Sequence, residues 1–177
     1  MMSQRRVVDI IRAAADAIIS RDSEASRAWL ESIDEAALSA ERQRLRAAAR
    51  ATAIASKKGA PATDRTVVQL AGSRNLSESL RAQAFFRDGF VCRLSHCRRL
   101  TIVPPVLRLL DAAHHDILRY DPNWNGTHDL FWLYMASGEH VRPWSLGGSS
   151  DVGENVATTC YWCNQLKSAR ENQGLGW

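Results

Sequence analysis

At 177 residues, with 45% hydrophobic and 24% charged side chains, the chain is long enough for one domain with a sizeable core and too apolar to be wholly disordered. No run approaches the roughly 18 apolar residues of a membrane span, so a soluble, cytoplasmic protein with no membrane partner is expected. The formal net charge of +4 leans toward polyanionic partners. Residues 77–177 nevertheless carry as many acidic as basic side chains, so any basic groove must come from folding.

Arg5-Arg6 precede an apolar stretch in the manner of an export signal, but Arg12 and Asp16 interrupt it, and the segment reads as a helix. Val7, Ile10, Ile11, Ala14, Ala15, Ile18 and Ile19 recur at three- and four-residue steps, one amphipathic stripe. A second helix is expected around Glu24–Leu38 and a third from about Ala40 to Ser56, capped by Ser39. These make residues 1–58 a helical region, whose stripes can pack together, on the rest of the chain, or on a second copy. Residues 59–76 read as a linker, with Thr66-Val67-Val68-Gln69-Leu70 as a short strand. Ser77 caps a further helix through Arg87, and Gly89 stops it.

All four cysteines fall in close pairs, Cys92 with Cys97 and Cys160 with Cys163. In a cytosolic chain disulfides are disfavoured, and two such pairs can bring four thiolates to one tetrahedral Zn²⁺. The alternatives are buried free thiols, or a redox motif in Cys160-Tyr161-Trp162-Cys163, which would leave the first pair unexplained. A closed four-thiolate site has no open position for water, so this zinc is expected to be structural.

Between the pairs, Glu139-His140-Val141 can end one strand, Gly147-Gly148-Ser149-Ser150 makes a flexible turn, and Asn155–Thr159 returns as the partner strand. A helix then starts near Cys160 and carries Asn164 on its first turn. With its acidic residue and His, Pro, Gly-rich loop, Asn and CxxCN knuckle ending near Lys, the segment 139–168 resembles the HNH endonuclease family. The resemblance extends over about residues 77–170.

The resemblance implies an α+β fold, a ββα-metal nuclease core (residues 77–177) held by a four-cysteine zinc knuckle and preceded by the helical region. It implies an endonuclease hydrolysing phosphodiester bonds of DNA, RNA being left open, with restriction or phage defence as a setting. His140 takes the role of general base, its imidazole suited to proton abstraction near neutrality. Glu139 and Asn164 take the roles of metal ligands, hard donors suited to Mg²⁺ or Mn²⁺. Asn155 takes the role of tying down the hairpin loop and orienting the base. Arg142 and Lys167 are candidates for phosphate contact, although an ordinary solvated charge explains either equally well. The alternative function is a non-catalytic, zinc-stabilised nucleic-acid-binding module.

Two features depart from the family's common form: Glu139 replaces the more frequent Asp, and an insertion at about residues 98–138 separates the first knuckle from the hairpin. In the insertion, Pro104-Pro105 opens a helix with Val106, Leu109, Leu110, Ala113 and Ile117 as its stripe, a turn-rich Asp121–Gly126 follows, and Leu130–Tyr134 reads as buried. With the terminal Leu175-Gly176-Trp177 it resembles a bacterial HNH subgroup. His114, His115 and His128 lie here without the spacing of a zinc site, so they are read as structural. The N-terminal helices are expected to serve assembly or target engagement, for instance a homodimer.

Overall fold

The computed structural model describes residues 3–57, 75–95, 97–144, 147–150 and 153–167, without the side chains of residues 49–57 and 167. The expected strand at Thr66–Leu70, most of the linker, the Lys167 side chain and the terminal Leu175-Gly176-Trp177 lie outside the described residues. Ser3 caps α1 (Gln4–Ile19) by accepting from the Arg6 N–H at 3.2 Å. The stripe of Val7, Ile10, Ile11, Ala14 and Ala15 is buried, whereas Ile19 in the last turn faces solvent. Asp22 caps α2 (Ser23–Glu31), accepting from the Ala25 N–H at 2.9 Å.

The break before α3 (Glu35–Lys57) falls at Ser32–Asp34 and not at Ser39, so Glu24–Leu38 is not one helix. Asp34 accepts from the Ala37 N–H at 2.9 Å, and a carboxylate there both satisfies an orphan amide and complements the helix dipole. Ile33 and Leu38, on either side of that cap, both enter the core, the pairing of a hydrophobic staple. Ser39 is an interior helical residue.

Ser77 caps α4 (Glu78–Arg87) through the Leu80 N–H at 3.2 Å, and Gly89, at φ 62°, turns the chain toward Cys92. The insertion supplies α5 (Pro104–Ala113), opened by its two prolines, and α6 (Asp129–Tyr134). Leu107 and Leu110 face inward on α5, while Leu109 is exposed and Ile117 lies beyond the helix end, which corrects the expected stripe. Leu130, Phe131, Leu133 and Tyr134 of α6 are buried.

Strand β1 (Ala136–His140) pairs antiparallel with β2 (Val156–Cys160), Ala136 opposite Cys160 and His140 opposite Val156, and α7 (Tyr161–Lys167) follows directly. The architecture is thus mixed, with seven α-helices and a two-stranded sheet among the described residues. The largest apolar cluster joins α1, α2 and the start of α3 to α5 and α6 of the insertion. Apart from Ile19, the α1 stripe is therefore covered by α2 and α5 of the same chain. No described helix is long and apolar enough to cross a membrane.

Candidate functional site

Local chain geometry brings the cysteines together in two steps. Between Cys92 and Cys97 the chain folds on itself, with the Cys97 and Arg98 N–H groups both donating to the Leu94 carbonyl at 2.9 and 3.2 Å, and the Cys92 N–H donating to the Arg99 carbonyl at 2.8 Å. Cys160 closes β2 and Cys163 follows on the first turn of α7. The Arg93 N–H donates to the Thr158 carbonyl at 2.8 Å, which locks the first turn onto the second strand.

The four sulfurs lie within 4.8 Å of one another, and Cys92, Cys160 and Cys163 are buried. A regular tetrahedron of thiolates about 2.3 Å from zinc has sulfur–sulfur edges of about 3.8 Å, and the Cys97 and Cys160 sulfurs are 3.8 Å apart. No cysteine is bridged in a disulfide. Hydrogen bonds from Cys160 and Cys163 hold the Cys97 thiol far below its ordinary range, whereas the bonds with Cys160, Cys92 and Cys97 push Cys163 far above it. Sulfurs this crowded share protons and do not all ionise together; a soft dication removes the conflict, and the donor set fits zinc. Among the described residues this is the group of three or more His, Cys, Asp or Glu side chains placed to hold an ion.

The hairpin connection is closed by Asn155. Its Oδ1 accepts from the Arg142 N–H at 2.7 Å, and its Nδ2 donates to the Arg142 and Ser149 carbonyls at 3.1 and 2.8 Å. The glycine run is required here: a Cβ on Gly148 would lie 1.9 Å from the Arg142 carbonyl oxygen and 2.8 Å from Asn155 Nδ2. The His140 Nε2 meets Ser150 Oγ at 2.9 Å, and both residues are buried, His140 at 8% of its full exposure. The Arg142 guanidinium lies beside Gly147.

Strand alternation divides the remaining candidates. Asn164 Nδ2 donates to Ser137 Oγ, so α7 lies over the face of β1 that Ser137 shares with Glu139. On the opposite face, a Cβ on Gly138 would meet Arg81 Cγ of α4 at 2.6 Å. The structure thus brings His140 and Asn155 together at the loop, and Glu139 and Asn164 to the α7 side of the sheet.

Sequence reasoning missed Ser150 and the pair Arg87 and Asp88. Arg87 donates to the Gly153 and Val156 carbonyls at 3.0 and 2.6 Å, and Asp88 accepts from the Thr158 N–H at 2.8 Å and from Arg87 at 2.9 Å. Together they fasten the end of α4 to the returning strand. Burial raises the Asp88 carboxyl, and the bonds from Arg87 and Thr158 outweigh it, leaving the group below its ordinary range. Nothing local in the sequence marks these partners, which are more than sixty residues apart.

The three histidines of the insertion each have a polar partner: His114 with Ser26 at 3.0 Å, His115 with Asp111 at 2.7 Å, and His128 with Glu35 at 2.7 Å. The first and last of these stitch the insertion to α2 and α3. Residues 120–170 match the family model of the HNH endonuclease. No curated protein and no solved structure matches the chain. The matched segment takes in Glu139, His140, Asn155, Asn164 and the second cysteine pair, and it begins inside the insertion.

Proposed function

We propose, with the HNH endonuclease match over residues 120–170 as the premise, that this chain is a metal-dependent endonuclease that cuts DNA from a ββα-metal site. The observation that carries the reading is the Asn155 side chain, which spans the hairpin connection from Arg142 to Ser149 and so fixes where His140 stands. Phosphodiester hydrolysis needs a water aligned and deprotonated, and charge neutralised on the phosphoryl and leaving oxygens. In the tautomer that donates from Nε2 to Ser150 Oγ, His140 offers Nδ1 as the proton acceptor. Glu139, on the face of β1 that α7 covers, and Asn164 of α7 offer a carboxylate and an amide oxygen, hard donors that fit Mg²⁺ or Mn²⁺. Such an ion, when bound, supplies Lewis-acid stabilisation of the phosphate oxygens. Arg142 and Lys167 hold the backbone phosphates, and Cys92, Cys97, Cys160 and Cys163 hold a structural zinc. Restriction or phage defence is the setting in which such an enzyme would act.

Conversion of supercoiled plasmid with Mg²⁺, with Mn²⁺ and with EDTA tests this, with a single-stranded RNA substrate as a parallel arm. Wild type should nick in either ion and stop in EDTA, and His140→Ala should be inactive with its zinc retained. Glu139→Ala and Asn164→Ala should need higher metal concentrations. The burial of His140 favours a second reading, a nucleic-acid-binding module without chemistry. Wild-type protein that shifts DNA on a gel yet never cuts it in either ion would decide for that module.

A further inference from the structure

Among the described residues the most exposed large apolar side chain is Phe86 of α4, at 74% of its full exposure. Phe90 braces it edge to face, with ring centroids 5.3 Å apart, and leaves most of the Phe86 ring in solvent. Phe90 reaches this place through a left-handed backbone, φ 56°, directly after Gly89. A bulky residue keeps that conformation only where its surroundings over-determine it. Here the Phe90 N–H donates to the Phe85 carbonyl at 2.9 Å, and the Phe90 carbonyl accepts from the Thr101 N–H and Oγ1 at 2.7 and 2.9 Å. The chain thus holds a strained aromatic residue beside an exposed one.

The charge on this segment is one-sided. Residues 79–100 contain five arginines, no lysine and one acidic residue, Asp88. Asp88 is buried, and Arg87 and Arg93 converge on one of its carboxylate oxygens at 2.9 and 3.9 Å, each side chain nearly half exposed. Two cations on one buried carboxylate leave positive charge at the surface. Arg87 also donates to the carbonyl of Val156, which pairs with His140 in the sheet, so this surface borders the hairpin.

We propose that Phe86, braced by Phe90, stacks an unpaired base of a DNA strand, with Arg93 contacting the adjacent phosphate and Arg87 adding its charge. The substrate class is then DNA with single-stranded or locally unpaired bases, and the assignment rests on the nuclease reading for its ligand. In a duplex the faces of the bases are covered by their neighbours, so an exposed ring stacks only where a base has left the helix. A stable protein interface needs about 800 Å² per partner around an apolar centre, which two rings among guanidinium groups do not supply. One base needs only a flat ring and a cation for its phosphate.

The test is fluorescence anisotropy on the full-length chain with no Mg²⁺ or Mn²⁺ added, using a labelled single-stranded oligonucleotide and the fully paired duplex of the same sequence. Phe86→Ala should weaken binding of the single strand on the order of tenfold and leave the duplex bound as by wild type. Phe86→Trp should keep wild-type affinity, whereas Phe86→Leu, apolar but without a flat ring, should resemble Phe86→Ala. Arg93→Gln should lower the slope of log affinity against log salt by about 0.7 on the single strand. Photo-cross-linking of a single strand carrying iodouracil should mark the peptide that contains Phe86.

Wild-type affinity in both Phe86→Ala and Phe86→Leu overturns the stacking role and leaves the nuclease reading standing. Equal losses on single strand and duplex overturn the preference for unpaired bases. Self-association of wild type that Phe86→Ala abolishes, with DNA affinity unchanged, assigns the surface to a second copy of the chain and overturns the proposal. Wild type that binds neither oligonucleotide overturns both the proposal and the nuclease reading.

Discussion

His140 and Ser150 stand ten positions apart and meet across the hairpin connection, the hydroxyl 2.9 Å from Nε2 holding the orientation of the ring. Under the nuclease reading Ser150 is a positioning residue: it touches the base, not the substrate. Ser150→Ala should lower kcat by up to about a hundredfold while KM, zinc content and DNA affinity stay near wild type, because only ring orientation is lost. An unchanged kcat would show that the loop backbone alone orients the ring. The loop itself depends on one backbone approach. Gly148 is packed against the Arg142 carbonyl where no Cβ fits, and Asn155 can bridge the loop only because the chain passes that close.

Helix α4 positions the hairpin without contributing a candidate ligand. Its Arg81 side chain covers Gly138 on β1, and Arg87 and Asp88 at its end hold Gly153, Val156 and Thr158. Asp88→Ala would leave the buried Thr158 N–H without its acceptor, a loss of about 1–3 kcal/mol. The Asp88 side chain is 4% exposed but its partner Arg87 is 47% exposed, so the lower part of that range is expected from the ion pair itself. The sign with pH follows from the lowered Asp88 carboxyl: its contribution is present above the ordinary carboxylate range and is lost as pH falls through the folded value. Urea melts of wild type and Asp88→Ala should therefore differ at pH 7 and converge in acid; a constant difference would place the effect elsewhere. At the start of α3 the same chemistry acts locally, where Asp34 displaces Ser39 as the cap because the carboxylate and the Ile33–Leu38 staple act at one point.

Across the whole molecule, the N-terminal helices and the insertion bury one another. Val7, Ile10, Ile11 and Leu30 on one side meet the cluster of Leu107, Leu110, Leu130, Phe131 and Leu133 on the other. Each such side chain contributes about 1.5–3 kcal/mol on burial, so losing one side of the cluster is comparable to the roughly 5–15 kcal/mol net stability of a domain. A chain of residues 60–177 should accordingly be insoluble or lose zinc, measured by gel filtration and elemental analysis. A soluble, zinc-loaded fragment that still cuts would show instead that the nuclease segment holds its own core and that the helices serve assembly or target engagement.

Features set by neighbours in the chain are legible in the amino-acid sequence alone. The α1 stripe, the Ser77 cap and the Gly89 turn arise from interactions within a few residues, and the spacing of the two cysteine pairs points to the four-sulfur cluster that the fold assembles. The order of Glu139, His140, Asn155 and Asn164 is likewise legible as an HNH pattern, and the match over residues 120–170 falls on it. Choices between equivalent partners are not. An amphipathic stripe states that it needs cover and not what covers it, so only the fold shows α2 and α5 packed on α1. Likewise Glu41 and Arg99, or Asp88 and Thr158, are ordinary charged and polar residues in sequence. They acquire partners only when folding closes loops of some sixty to seventy residues, and the physical selectivity lies in desolvation and geometry, which no local pattern carries.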